Sequence, residues 1–433
     1  MLQKVSFFNY KSYESAELPL AGLTVLLGAN ASGKSNALEA IQLLAWLAEG
    51  RRLDTLLVAL QQHEIQIRGS AAELTLSGDR IDLGCELTDN SGRLLTLNVV
   101  LRVAEDGLHV AEESLWREDE NIPLYEVVQS ASAFSNQVSV AYNNFSRGKN
   151  KPQIPALDQQ AIFTQLTTPA RFDANHAKSQ SEIPDAVSLV QKTLENVLFL
   201  DPAPARMRDY SFKIDHKKLR GDGANLSSVL AHLCQEPSRK DDVLGFVRSL
   251  PEQDITDIAF IDGPRGEVMI ELRETFGGKE RPVSARLLSD GTLRVLSVGA
   301  ALLSVAEGTL VVIEEIDNGV HPPRAKALLE RITRIAKDRD LRVLLTTHNP
   351  ALLDAIPTTS IPDVVACYRD PQTGTSRLIR LADLDQYPEL VAQGPLGQIV
   401  TQGILDRVLK HPQDKTARQQ SLDNLLTALG RKA

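Results

Sequence analysis

Residues 28–36 read Gly-Ala-Asn-Ala-Ser-Gly-Lys-Ser-Asn, directly after the apolar run Leu23-Thr24-Val25-Leu26-Leu27 and before the helix-like stretch Ala37–Leu47. No other feature restricts the fold as strongly. A Gly, four residues, then Gly-Lys-Ser works only when a strand delivers the loop and a helix N-terminus receives its ligand. Gly28 and Gly33 let backbone N–H groups turn inward without a Cβ in the way, which makes the loop a concave anion cradle. Lys34 reaches phosphate oxygens as a point charge, Ser35 is placed to hold Mg²⁺, and Asn30, Ser32 and Asn36 belong to the same cradle.

Leu310-Val311-Val312-Ile313-Glu314-Glu315 is an apolar strand ending in two adjacent carboxylates. A phosphate-loop ATPase needs such a pair opposite its first motif. The first carboxylate, Glu314, would approach Mg²⁺, and the second, Glu315, would act as general base on the water that attacks the γ-phosphorus. After the strand Val343–Leu345 comes Thr346-Thr347-His348-Asn349-Pro350. A histidine in a polar turn past a buried strand can donate to a γ-phosphate oxygen, and His348 gains that role from its place after the two earlier motifs. Ser289-Asp290-Gly291 opens the helix-like Leu293–Ala306. As bare letters it is a turn and a cap; at a helix N-terminus it is also an anion site.

Strand and helix alternate through Leu310–Ile313, Pro323–Asp338 and Arg342–Thr346, which predicts parallel pairing in a covered sheet of an α/β fold. Upstream, Glu73–Leu76, Ile81–Leu87, Leu94–Val103 and Leu108–Ser114 are β-rich runs split by turn signals, predicting a flanking antiparallel sheet. Residues from about Arg117 to Ile183 are polar and rich in Ser, Asn and Gln, and read either as a helical insertion or as a partly mobile one. Helical periodicity resumes at Val187–Leu198 and Ala224–Leu233. The expected organisation is an N-terminal lobe over residues 1–116, an insertion over 117–190, and a second lobe over 191–433 that carries the remaining motifs.

Across 433 residues the net charge is −9, which argues against a chain that coats nucleic acid everywhere and leaves a local basic patch open. Arg206, Arg208, Lys213, Lys217, Lys218 and Arg220, with Tyr210 and Phe212 interleaved, form either a DNA-contacting edge or a solvated loop that also carries Asp209 and Asp215. Cys85, Cys234 and Cys367 make no CxxC pair, so structural zinc and a disulfide framework are not expected. No window approaches the ~18 uncharged apolar residues of a membrane span, and a soluble cytoplasmic protein is expected.

Taken in order, Gly28–Asn36, Leu288–Arg294, Ile313–Pro322 and Thr346–Pro350 resemble the ABC-type ATPase heads of the superfamily that includes SMC, RecF and OLD proteins. More narrowly, the chain resembles the standalone AAA-family ATPases found in prokaryotic anti-phage defence systems. Their wording is matched by Phe8-Asn9-Tyr10-Lys11-Ser12, Leu-Ser-Asp-Gly-Thr at 288–292 and Glu-Glu-Ile-Asp-Asn-Gly-Val-His-Pro at 314–322, and the likeness extends to Asp201-Pro202, Gly223–Leu226 and Leu396–Leu405. The resemblance implies ATP and Mg²⁺ as ligands and a head-to-head dimer in which Ser289, Asp290 and Gly291 of one copy face the phosphate loop of the other. It implies ATP hydrolysis and a sensor or scaffold role for a separate effector such as a nuclease. A RecF-like clamp on DNA during repair is the alternative, and a nucleotide-dependent interaction module with negligible turnover is a third.

Some features depart from the family pattern. Glu314 stands where many relatives have Asp, and Asp317–His321 differs from the dimer-facing loop of SMC heads. The glutamine coupling loop has three candidates in Gln61, Gln62 and Gln66. Sustained heptads are absent, so no coiled-coil arm is expected. About eighty residues run from Ala351 to Ala433, so an appended TOPRIM nuclease domain is not expected in this stretch.

Overall fold

In the strand Leu23–Leu27 every residue is buried. Alternate side chains feed two different cores: Leu26 belongs to one hydrophobic cluster, while Leu23, Val25 and Leu27 belong to the other. The same division recurs along Leu310–Ile313, Arg342–Thr347 and Val364–Arg369, which explains why these strands read as continuous apolar runs. They are the middle of a six-stranded sheet ordered Leu198–Leu200, Leu310–Ile313, Arg342–Thr347, Leu23–Leu27, Val364–Arg369, Ser376–Arg380. All neighbours are parallel except the last, which returns as an antiparallel hairpin. The computed structural model describes residues 1–62, 65–89, 91–105, 107–131, 135–148, 150–248, 254–316 and 322–410.

The helix Lys34–Ala48 is buried on almost every side, from Ala37 through Ala48 with Ala45 the exception. It packs against the strands Leu2–Tyr10 and Arg80–Thr88 and against the helix Ala177–Glu195. Those two strands belong to an eight-stranded antiparallel sheet ordered Tyr13–Pro19, Leu2–Tyr10, Arg80–Thr88, Leu94–Ala104, Gly107–Arg117, Tyr125–Gln129, Gln137–Tyr142, Gln153–Leu157. The helix is thus enclosed, which accounts for its weakly amphipathic sequence. Across the parallel sheet, the helices Leu226–Leu233, Pro237–Val247, Asp290–Ser304 and Pro322–Asp338 build the second core, and a small sheet centred on Glu267–Phe276 joins them. No described helix is long and apolar enough to cross a membrane.

The flanking antiparallel sheet expected from the sequence is present, but it reaches into the stretch read as a helical or irregular insertion. Residues 125–157 contribute three of its strands, and the helix Ala177–Glu195 follows. Tyr125, Val138, Val140 and Tyr142 are fully buried at alternating positions, while Glu126, Ser139 and Gln153 stay accessible, so the polar letters that hid the period lie on the open face. Glu73–Leu76 is likewise not a strand. Ser70 and Glu73 close a capping box, with Ser70 N–H donating to Glu73 Oε2 at 2.7 Å, and Ala71–Leu74 forms a tight helical turn.

Candidate functional site

Parallel strands end on one edge, so topology places the residue after each strand. Gly28 comes after Leu27, Glu314 after Ile313, His348 after Thr347 and Asp201 after Leu200. Register aligns these ends: Thr347 lies opposite Leu27, Leu345 opposite Ile313, and Ile313 opposite Leu200. The structure therefore brings the phosphate loop, the carboxylate pair and the histidine to a common edge, with Asp201, which the resemblance touched without giving it a role, as a further carboxylate.

The loop turns through Ala31 at φ +62° and Gly33 at φ +120°. A Cβ at Gly33 would come within 2.8 Å of Ser376 Cβ and 2.9 Å of the Tyr13 hydroxyl, so glycine is required for space as well as for φ. Lys34 Nζ donates to the carbonyls of Gly28 at 2.6 Å and Ala29 at 3.0 Å, folded over the loop whose ligand it would hold. Asn36 donates to Ser12 Oγ at 2.8 Å. One turn on, Glu39 is buried in an ion-pair cluster with Lys11 and with Arg68, whose Nε donates to it at 2.7 Å. Burial holds the Lys11 amine below its usual range. Arg68 also reaches Asn36 Oδ1 at 3.3 Å.

Glu315 takes a left-handed backbone at φ +47°, and its N–H donates to Thr346 Oγ1 at 2.9 Å, which ties the carboxylate strand to the histidine strand. Burial raises the Glu314 carboxyl, and the neighbouring charges of Asp201 and Glu315 push it the same way. Crowded carboxylates of this kind gain by sharing a cation. Among the described residues no group of three or more His, Cys, Asp or Glu side chains is set to hold a metal alone, so a cation here would also need phosphate oxygens or water. His348 is exposed, and the next residue, Asn349, caps the helix Pro350–Asp354 by accepting from Ala351 N–H at 3.0 Å. His348 and Gly28–Asn30 line a cavity of about 340 Å³ whose other walls are Cys367–Arg369 and the helix Ile404–Lys410.

Ser289 caps the helix Asp290–Ser304, with Thr292 N–H donating to its hydroxyl at 3.1 Å, and Arg208 donates to Asp290 Oδ1 at 2.5 Å. Ser289 and Asp290 are exposed. The body of their helix borders Glu314–Ile316 through Arg294, Val295 and Val298. Ser289, Asp290 and Gly291 thus form the N-terminal turn of a helix whose following residues border the carboxylates, and Ser289 and Asp290 hydrogen-bond with Thr292, Leu293 and Arg208. Asp317–His321 lie outside the described residues. Of the three glutamines, Gln61 and Gln62 end a short helix, whereas exposed Gln66 lies between buried Ile65 and Ile67, two residues before Arg68.

Most of the basic run is paired: Arg206 with Asp222 at 2.7 Å, Arg208 with Asp290, Lys213 with Asp262 at 2.8 Å, and Arg220 with Asp215 and Asp222 at 4.0 Å. These pairings match the solvated-loop reading of that run better than a bare cationic edge.

A model of the family described as "AAA domain, putative AbiEii toxin, Type IV TA system" matches residues 117–354, and one described as "AAA ATPase domain" matches residues 1–196. The DNA replication and repair protein RecF of Streptococcus agalactiae serotype V is 33% identical over 99 residues, which are 22% of this chain and 26% of that protein. RecF of Gloeobacter violaceus is 35% identical over 100 residues, 23% of this chain and 25% of that protein. The chain spans about a quarter of the length of these curated relatives. Among solved structures, an SMC head bound to the C-winged helix domain of ScpA superposes with a TM-score of 0.50 at 12% identity, covering 87% of this chain and 97% of that one, which shows likeness of fold.

Proposed function

The chain belongs to the AAA-domain family whose model spans residues 117–354 and has the fold of an SMC-type head, and from that premise we propose that it binds and hydrolyses ATP as a head that engages a second copy of itself. The observation that carries the reading is the convergence of Gly28–Asn36, Glu314–Glu315 and His348 on one strand edge, with the Thr346 hydroxyl joining two of the three motifs.

In this reading the loop amides and the helix Lys34–Ala48 cradle the β-phosphate. Lys34 exchanges its carbonyl partners for β/γ oxygens. Glu315 accepts a proton from the attacking water, and His348 donates to the γ-phosphate. Ser35 and Glu314, with Asp201 nearby, would hold Mg²⁺, which when bound supplies charge neutralisation for the transferred phosphoryl group. The crowded carboxylates fit that ion. Ser289 and Asp290, exposed at the N-terminus of their helix, suit with Gly291 a role in trans across a two-fold dimer, with the triphosphate as the link between heads. The same engagement would transmit ATP state to a separate effector in a prokaryotic defence system, for which the family description naming a toxin–antitoxin system is the support.

Phosphate release by the purified chain tests the core of this proposal. Lys34→Ala should abolish ATP binding. Glu315→Gln should keep binding and lower turnover by ~10²-fold or more, the usual contribution of a general base. Ser289→Arg should spare binding by the monomer and prevent ATP-dependent dimerisation. Equal loss of nucleotide affinity in the Lys34 and Glu315 variants would show that Glu315 is a binding residue and not the base.

A further inference from the structure

Three consecutive peptide oxygens of the phosphate loop are each held from outside the loop. Ala31 C=O accepts from Arg369 Nε at 3.1 Å. Ser32 C=O accepts from the Ser376 hydroxyl at 2.6 Å, and Gly33 C=O accepts from the Tyr13 hydroxyl at 3.1 Å. Arg369 and Ser376 are cross-strand partners in the hairpin formed by Val364–Arg369 and Ser376–Arg380, so one rung supplies two of the three donors. The rung is itself fixed. Arg369 donates through its other arm to Gly374 C=O at 2.6 Å in the hairpin turn, and Ser376 Oγ lies 2.8 Å from Ser12 Oγ, which accepts from Asn36.

A trans peptide is planar with its C=O and N–H pointing to opposite sides, so anchoring an oxygen also aims the N–H of the next residue. Holding the oxygens of Ser32 and Gly33 outward turns the N–H groups of Gly33 and Lys34 toward the inner side of the loop, while holding that of Ala31 directs the Ser32 N–H to the Ala29 carbonyl at 3.2 Å, which closes the turn of the loop. Successive inward N–H groups are what an anion cradle consists of. The hairpin begins ten residues beyond the last position that either family model matches.

We infer that Arg369 and Ser376, with Tyr13, are positioning residues for nucleotide binding, which set the phosphate loop in its anion-binding shape by gripping its outward peptide oxygens. The inference rests on the ATP reading above and adds residues that none of the motifs contains. Tyr13 is buried and Ser376 is fully enclosed, so both remain neutral hydroxyl donors, whereas Arg369 is exposed at the rim. Because the loop amides hold the phosphates equally in the ground state and the transition state, loosening them raises KM and leaves kcat nearly unchanged.

The test compares wild type with Arg369→Ala, Arg369→Lys, Ser376→Ala and Tyr13→Phe. Readouts are the ATP dissociation constant by titration, kcat and KM by phosphate release, melting temperature without nucleotide, and amide hydrogen exchange of the peptide covering residues 28–36. Arg369→Ala and Ser376→Ala should each weaken ATP about tenfold, as expected for loss of one hydrogen bond to the loop. Both should speed exchange at 28–36 and change kcat less than about twofold, and Arg369→Lys should recover most of the affinity. If wild type binds ATP and both alanine variants bind it within twofold of wild type, the inference is overturned while the ATP reading stands. If affinity falls only in step with melting temperature and lysine restores neither, the rung is a stability element and the inference also fails. Absence of ATP binding by wild type would sink the proposed function and this inference with it.

Discussion

Glu113 is a buried carboxyl away from the nucleotide edge, and it makes a quantitative prediction. It sits in the strand Gly107–Arg117, 3% exposed, and accepts from the Tyr125 hydroxyl at 2.6 Å and from Ile162 N–H and Phe163 N–H at 2.8 and 2.6 Å. Burial pushes its carboxyl from 4.5 up to about 7, against the opposing pull of those three donors. The folded state therefore binds more protons than the unfolded chain in that window, so stability falls as pH rises. The contribution is fully present below 4.5 and is lost as pH climbs through about 7. At ~1.4 kcal/mol per pH unit the rise is worth about 3 kcal/mol. With ~2.1 cal/mol/K of unfolding entropy per residue in a chain this long, that amounts to roughly 3–4 °C in melting temperature. Glu113→Gln carries no titrating group, so subtracting its melting temperature from that of wild type at each pH cancels every other ionisation. The difference should fall by roughly 3–4 °C between pH 5 and pH 8.5 in wild type's disfavour. A difference that stays flat across that range, or that grows with pH, would refute the reasoning.

Two further outcomes arise from buried contacts near the site. Glu39 is buried with Lys11, so Glu39→Ala leaves an enclosed ammonium without its carboxylate and should cost about 3–5 kcal/mol, read as a melting-temperature loss of several degrees. Gly397 presses against the Pro350 carbonyl and Asp354, directly behind the His348 turn, and donates to Asp354 Oδ1 at 2.6 Å. Gly397→Val should therefore detach the helices Leu396–Thr401 and Ile404–Lys410, detected as faster proteolysis in that segment with the parallel sheet still intact.

The motifs were legible because each is local. A strand, a glycine turn and a helix start lie between Leu23 and Lys34, and the carboxylates and histidine come directly after apolar strands. The parallel sheet was readable from the same runs, since strands covered on both faces lose their alternation. The three strands at 125–157 were not legible because their accessible positions mix Ser, Gln and Glu with apolar Val128 and Leu157, and burial of Tyr125, Val140 and Tyr142 is a property of the sheet they join. Glu113 reads as one more polar letter until helix Ile162–Gln165 presents two N–H groups to it. The grip on the loop was equally out of reach. Arg369 and Ala31 are 338 positions apart, and the donor is a side chain while the acceptor is a peptide oxygen, so no spacing rule records the pair.

Strand order explains why so much of the site is non-local. Leu23–Leu27, from the start of the chain, lies between Arg342–Thr347 and Val364–Arg369, from near its end. The strand that delivers the phosphate loop therefore has no neighbour within the first three hundred residues of sequence, and both its flanks come from the C-terminal part. One flank carries His348 and, through Thr346, the backbone of Glu315; the other carries Arg369 and the hairpin that returns Ser376 to the loop. A shift of one residue in either pairing would turn the alternating side chains of Leu23–Leu27 into the wrong cores, so correct register of a buried sheet is also what sets the spacing of the chemical groups at its edge. Stability of the central sheet and geometry of the nucleotide site are, on this arrangement, the same physical constraint.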